Sequence, residues 1–416
     1  MYSSTTLSNG LRIIHESTVS EVVYCGYVVC AGTRHEAPCD SGMAHFIEHM
    51  SFKGTAKRRS CHIINSLERV GGDLNAFTNK QETVYHATVL RPDFQRAVEL
   101  LTDMVFNSTY PQHEIVKEAE VVCDEIDSYK DSPSEIIFDE FESLVYPGHP
   151  LGRDILGDAG RLREYNTADA RRFADTYYHP ENAVLFVYGN IPFHRIVQQV
   201  EKSFKTLQGG APVQKIQPEA YYGGTFPKEF PAPLYGVHER KKDTHQAHVL
   251  MGGPTYCGDS PHRFALLILN NMLGGPGMNS RLNLSLREKS GLVYSVDSYL
   301  NTYPDTGFWN VYFGCDPKDT ERCLRLIRKE LDRFIEQPLS SAQLAAAKKQ
   351  IVGQIGISCE NREGYALALG KTFAHYNIFR NVADIQEAIQ EVQAEEIQQV
   401  AADIYQANKL VTLIYR

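Results

Sequence analysis

The sequence predicts an α/β fold of the α+β kind, built from two copies of one domain. Three observations carry this. Strand-like runs rich in Val, Ile and Tyr alternate with helix-length amphipathic segments. A stretch between Gly209 and Pro233, with Gly209-Gly210-Ala211-Pro212, Gly223-Gly224 and further prolines, breaks the periodicity and leaves two parts of similar length on either side. The two parts also repeat one order of features. His15-Glu16 and then Ala31-Gly32 in the first have counterparts in His238-Glu239 and Gly252-Gly253 in the second, each followed by a polar loop and an apolar helix. The expected division is a first domain over 1–209, a linker over 210–233 and a second domain over 234–416. A chain of 416 residues is long enough for each part to bury its own core.

The elements follow in order. From Gly10, the runs Leu11 to Glu16 and Val22 to Gly32 are β-rich and separated by polar residues, so strands come first. A polar loop from Ala37 to Gly42 leads into a helix around His45, and a second amphipathic segment spans Cys61 to Val70. Leu74-Asn75-Ala76-Phe77-Thr78, a polar turn over Asn79 to Glu82 and the alternating run Thr83 to Leu90 read as a hairpin, with His86 a structural strand residue. Pro92 to Phe106 and Pro111 to Tyr129 read as helices. In the second part the apolar helix is Phe264 to Met272. Gly274-Gly275-Pro276-Gly277 then stops it; the run lacks the Lys-Ser/Thr of a phosphate-binding loop.

The residues that carry chemistry lie in His45-Phe46-Ile47-Glu48-His49. Two histidines four apart project from one face of a helix, a turn apart, and can share a metal ion. Glu48 flanks that face, badly placed for a third ligand and well placed to take a proton from a metal-bound water. This His-x-x-Glu-His order inverts the commoner zincin motif and is the inverzincin pattern. The neighbours Ala44, Phe46, Ile47, Met50 and Phe52 are apolar, so the helix is expected to be buried, where unpaired histidines are costly. An open catalytic zinc site uses three protein ligands, often two His and one Glu. The helix over Pro111 to Tyr129 offers two glutamates, Glu118 and Glu125, seven apart and therefore on one face; spacing alone does not choose between them.

Bulk properties exclude more than they assign. A net charge of −9 without any Lys- or Arg-rich run argues against a nucleic-acid partner. The start, Met1 to Leu7, has no basic region followed by an apolar one, and no stretch is long enough to cross a membrane, so a cytoplasmic, membrane-free protein is expected. Nine scattered cysteines without a Cys-x-x-Cys pair point to reduced packing residues, not disulfides or a thiolate zinc site.

The assembled motifs resemble the pitrilysin, insulin-degrading enzyme and mitochondrial processing peptidase family of zinc metallopeptidases. The resemblance rests on His45, Glu48 and His49, on Glu118 and Glu125, on Leu74-Asn75-Ala76-Phe77-Thr78, and on Ser280-Arg281-Leu282 with Leu286-Arg287-Glu288-Lys289-Ser290-Gly291-Leu292-Val293-Tyr294-Ser295. It covers nearly the whole chain. It implies a zinc-dependent endopeptidase with one Zn²⁺ per chain, held by His45, His49 and Glu125, with Glu48 as general base and Glu118 supporting the ligands from behind. It makes Asn75, Ala76, Phe77 and Thr78 part of a substrate-binding edge strand that takes up a peptide by strand addition. Arg287 and Tyr294 would reach over the zinc from an opposing half, Arg287 holding the peptide and Tyr294 stabilising an oxyanion.

Large relatives hold four such domains in one chain as a clamshell of largely antiparallel sheets packed with helices. Two domains here make half of one, so the resemblance implies a homodimer that encloses short or unfolded peptides. The rival reading is a noncatalytic or partner subunit of a heterodimeric processing peptidase. Such relatives tend to lose ligands, and this chain retains them all.

Overall fold

The computed structural model of the chain describes residues 2–207, 230–242 and 244–416. All but the last four positions of the expected 210–233 linker lie outside the described residues. Two mixed, largely antiparallel sheets carry the fold. The first has six strands, β1 (Tyr2–Thr6), β2 (Arg12–Glu16), β3 (Val22–Val29), β4 (Asp73–Thr78), β5 (Thr83–Leu90) and β6 (Ala183–Tyr188), in the order β1-β2-β6-β3-β5-β4. The second has β7 (Gly236–Arg240), β8 (Ala247–Thr255), β9 (Val293–Thr302), β10 (Gly307–Cys315) and β11 (Val411–Tyr415), in the order β7-β11-β8-β10-β9. Among the described residues a single pair in each sheet is parallel, β2 with β6 and β7 with β11. Without β1 the two orders match strand for strand. His15 and His238 fall in the matching strands β2 and β7, so the repeat read in the sequence is a repeat of topology.

The helices of the first repeat are α1 (Met43–Ser51), α2 (Ser60–Glu68), α3 (Phe94–Phe106), α4 (Gln112–Lys130), α5 (Pro133–Val145), α6 (Ala159–Leu162), α7 (Thr167–Tyr177) and α8 (Phe193–Lys205). Those of the second are α9 (Arg263–Gly274), α10 (Thr320–Glu336), α11 (Ser341–Ser358), α12 (Arg362–Tyr376), α13 (Val382–Glu391) and α14 (Ala394–Ile404), with a π-helical turn over Asn283–Glu288 between α9 and α10. The expected hairpin is β4–β5. The expected helix around His45 is α1, and the stop after Phe264–Met272 is the end of α9 at Gly274.

Each sheet is buried on both faces, which explains the near-continuous apolar runs of its central strands. In β3, Cys25, Tyr27 and Val29 face a core with Phe46, Ile47 and Met50 of α1 and Val98 and Leu101 of α3, while Val28 points to the other face. That other face is covered by α12, whose Ala366, Leu369 and Phe373 pack on Ile14, Val28, Val84, Val184 and Phe186. The second sheet is covered by α5, through Ile137, Phe141, Leu144 and Val145 against Leu250, Phe308, Val411 and Leu413. Helix α5 follows α4 in the first repeat as α12 follows α11 in the second, so the repeats exchange corresponding helices.

The compact units are therefore discontinuous and depart from the contiguous halves expected at 1–209 and 234–416. One comprises residues 2–128, 153–207 and Cys359–Phe379; the other comprises 129–152, 230–358 and 380–416. Gly370 marks how closely α12 is seated: a Cβ there would lie 2.4 Å from Cδ1 of the Phe186 ring. Among the described residues no helix is long and apolar enough to cross a membrane.

Candidate metal centre

Helix α1 is held from its first turn. Gly42 precedes it at φ +80°, and a Cβ there would also lie 2.5 Å from the Leu156 carbonyl oxygen. The Glu36 carboxylate accepts from the backbone N–H of Gly42 at 3.0 Å and of Ala44 at 2.9 Å, capping N–H groups that the helix itself leaves unpaired. Ala44, Phe46, Ile47 and Met50 are fully buried in the core. Ser51 donates to the Ile47 carbonyl at 2.8 Å, and its hydroxyl meets Tyr85 at 3.1 Å, which meets Tyr178 at 3.0 Å. With the apolar stripe turned inward, the opposite face presents His45, Glu48 and His49.

Helix α4 brings both glutamates to that face. Glu125 Oε1 lies 3.9 Å from His45 Nε2, and its Oε2 lies 3.7 Å from His49 Nε2. One ligand atom each from His45, His49 and Glu125 lie within 4.8 Å of one another. Glu118 meets the other ring nitrogen of His49, Nδ1, at 2.9 Å, and its second oxygen takes Lys53 Nζ at 2.5 Å. Glu118 is thus buried behind the group, whereas Glu125 is partly open to solvent.

The donor set fits a zinc ion. Donors about 2.0–2.1 Å from a tetrahedral zinc stand about 3.3 Å apart, and the two histidine–Glu125 separations, 3.9 and 3.7 Å, lie about half an ångström beyond that. Burial, reinforced by the neighbouring His49, lowers the His45 pKa to about 3 and keeps that ring neutral with a lone pair to give. Among the described residues its buried Nδ1 has no hydrogen-bond partner, and its Nε2 faces Glu125 as the atom that could hold a metal. For His49, burial opposes the charged ring, but the Glu118 hydrogen bond and the charges of Glu48, Glu118 and Glu125 outweigh it and raise the pKa. The same ring of carboxylates favours a divalent cation. With Nδ1 donating to Glu118, Nε2 of His49 is the atom left for a metal.

Glu48 is buried beside the group, its Oε2 accepting from Thr78 Oγ1 at 2.6 Å, and burial raises its pKa. Thr78 ends β4, which is the edge strand of its sheet. Along β4 the side chains alternate. Leu74 and Ala76 pack towards the core that holds α1, while Phe77 packs on the α12 side. Arg287 lies in the π-helical turn and Tyr294 at the start of β9, in the other unit, with the guanidinium carbon 6.0 Å from the Tyr294 ring centre and the tyrosine highly exposed. Sequence reasoning missed Lys53, Glu36 and the Thr78 contact with Glu48. Lys53 stands four residues after His49, a spacing that hinted at a shared face.

A His-x-x-Glu-His helix opposed by a glutamate of a second helix, on a two-repeat α/β chain, has the pattern of the inverzincins. Comparison with known proteins narrows this. The family model described as Insulinase (Peptidase family M16) matches residues 12–159, and the one described as Peptidase M16 inactive domain matches residues 165–351. The chain is 32% identical over 416 residues to the uncharacterized zinc protease YmxG of Bacillus subtilis (strain 168), covering 100% of this chain and 98% of the other. It is 32% identical to the uncharacterized zinc protease SCO5738 of Streptomyces coelicolor, over 96% of this chain and 86% of that one. Among solved structures, a protease from Helicobacter pylori superposes with a TM-score of 0.90 at 22% identity, covering 100% of this chain and 99% of that one. A putative M16-like peptidase from Alicyclobacillus acidocaldarius superposes at 0.84 and 21%, covering 100% and 98%. The chain belongs to peptidase family M16, the insulinase family.

Proposed function

We propose that this chain is a zinc-dependent endopeptidase that cleaves short or unfolded peptides. The observation that carries the reading is the convergence of His45, His49 and Glu125 on one point, with the buried carboxylate of Glu48 beside it. A zinc ion held by those three residues would supply Lewis acidity, lowering the pKa of its water towards about 7 and polarising the scissile carbonyl. Glu48 takes the proton of the attacking water and delivers it to the leaving amine, a role suited to a carboxyl whose pKa burial has raised. Glu118 and Lys53 keep the His49 ring turned so that Nε2 faces the site.

The peptide adds as a strand to the edge of β4 along Asn75 to Thr78, where alternate residues turn their backbone groups away from β5. Arg287 binds the peptide and the Tyr294 hydroxyl stabilises the developing oxyanion. Two copies of the chain, acting as a homodimer in the cytoplasm, complete each site. The test is an unbiased peptide library incubated with the protein, with and without chelator, and analysed by mass spectrometry. Chelator-sensitive internal cleavage is the expected result; an unchanged library at full zinc occupancy sinks the proposal.

A further inference from the structure

Thr78 belongs to two assemblies. Its backbone closes the edge strand β4 by pairing with Thr83 of β5, and its side chain, on the same side as Leu74 and Ala76, turns towards α1. There Thr78 Oγ1 lies 2.6 Å from Glu48 Oε2 and 3.3 Å from Thr83 Oγ1. A hydroxyl has one hydrogen to give, and Thr83 directs its own at the Ala31 carbonyl, 2.9 Å away. The hydrogen of Thr78 therefore goes to the carboxylate at the shorter distance, which is a charge-assisted bond. Both Thr78 and Glu48 are nearly fully buried, so water does not compete for it.

We propose that Thr78 is the positioning residue of Glu48, fixing one carboxylate oxygen so that Oε1 alone remains to carry the proton. This rests on Glu48 being the general base. A free glutamate side chain samples several rotamers, and a base gains rate only where its oxygen stays within hydrogen-bond reach of the proton it takes. The arrangement also links two registers. The strand whose edge receives the peptide ends in the residue that holds the base, so a shift of β4 would displace substrate and base together.

The test compares Thr78→Val, which keeps the β-branched shape and loses the hydroxyl, with Thr78→Ser, which keeps the hydroxyl. We expect Thr78→Val to lower kcat about 10- to 100-fold with KM within about threefold of wild type, and Thr78→Ser to recover most of kcat. An unchanged kcat in Thr78→Val, an effect confined to KM, or an equal loss in Thr78→Ser each overturns the proposal. A second readout needs no activity. In the metal-free protein, urea unfolding of Thr78→Val, Glu48→Ala and the double variant should show coupling of at least about threefold in the unfolding constant. Strict additivity overturns the contact itself. Wild-type protein that binds zinc yet cleaves nothing overturns Glu48 as base, and the coupling still decides whether Thr78 holds it.

Discussion

His49 divides its ring between two partners, Glu118 on Nδ1 and Glu125 facing Nε2, and that division separates what each glutamate should do when altered. Glu125→Gln replaces an anionic donor by a neutral amide that binds a divalent cation more weakly, so elemental analysis should find the protein depleted of zinc. Glu118→Gln retains a hydrogen-bond acceptor for the ring and should weaken zinc only about 10- to 100-fold, measured by chelator competition. The reverse ranking would exchange their roles. Glu48→Gln keeps the shape and the Thr78 hydrogen bond but cannot accept a proton. Its zinc content and Tm should match wild type while kcat falls about 10²- to 10⁴-fold; turnover near wild type would remove Glu48 from the mechanism.

At the scale of elements, α12 is pinned to the turn between β4 and β5 by Glu82, which receives His375 Nε2 at 2.8 Å and Asn79 Nδ2 at 2.9 Å, with Lys371 Nζ at 3.8 Å. Burial by itself pushes the Glu82 carboxyl up. The His375 hydrogen bond, with the charges of His375 and Lys371 and the Asn79 amide, outweighs it and holds the pKa at about 2. A carboxyl whose pKa drops on folding stabilises the protein above its unfolded value, about 4.5, and loses that contribution as pH falls towards 2. The shift corresponds to about 3 kcal/mol. Glu82→Gln should therefore destabilise the protein by about 2–3 kcal/mol at pH 7, and the gap to wild type in urea unfolding should narrow below pH about 4.5. A gap independent of pH would mean that shape, not charge, secures the turn. Gly370 offers a second check on α12. Gly370→Leu forces a branched side chain into the Phe186 ring and should cost about 1–3 kcal/mol in the same assay, although leucine favours helix more than glycine does.

For the whole molecule, the proposal that a partner chain completes each site makes a prediction that no single chain can mimic. Glu48→Gln and Tyr294→Phe homodimers should each be weak. Their heterodimer contains one site with both Glu48 and Tyr294 intact, if Tyr294 acts on the zinc of the partner chain. Activity should then return on subunit exchange to roughly half of wild type per heterodimer. A heterodimer verified by mass spectrometry and as inactive as its parents would rule out completion in trans. Size measurement by light scattering, showing a monomer at assay concentration with full activity, would do the same.

What the sequence determined by itself is what local geometry dictates. Helical periodicity places His45 and His49 on one face with Glu48 on its flank, and alternation marks β4 and β5 as a hairpin. The ordered recurrence of His15-Glu16 and His238-Glu239 announced two sheets of one topology. The tertiary structure decided whatever depends on how separate elements dock. Glu118 and Glu125 share a face of α4 at a spacing of seven, so no local rule distinguishes them; the placement of α4 against α1 does, seating one behind His49 and the other between both rings. The exchange of α5 and α12 was equally invisible, because an apolar helix face records that it must be covered and carries no record of which sheet covers it. Thr78 reads in the sequence as one more strand residue. Only the packing of β4 on α1 brings its hydroxyl to Glu48, since a hydrogen bond between residues thirty apart is a property of the fold and of no segment within it.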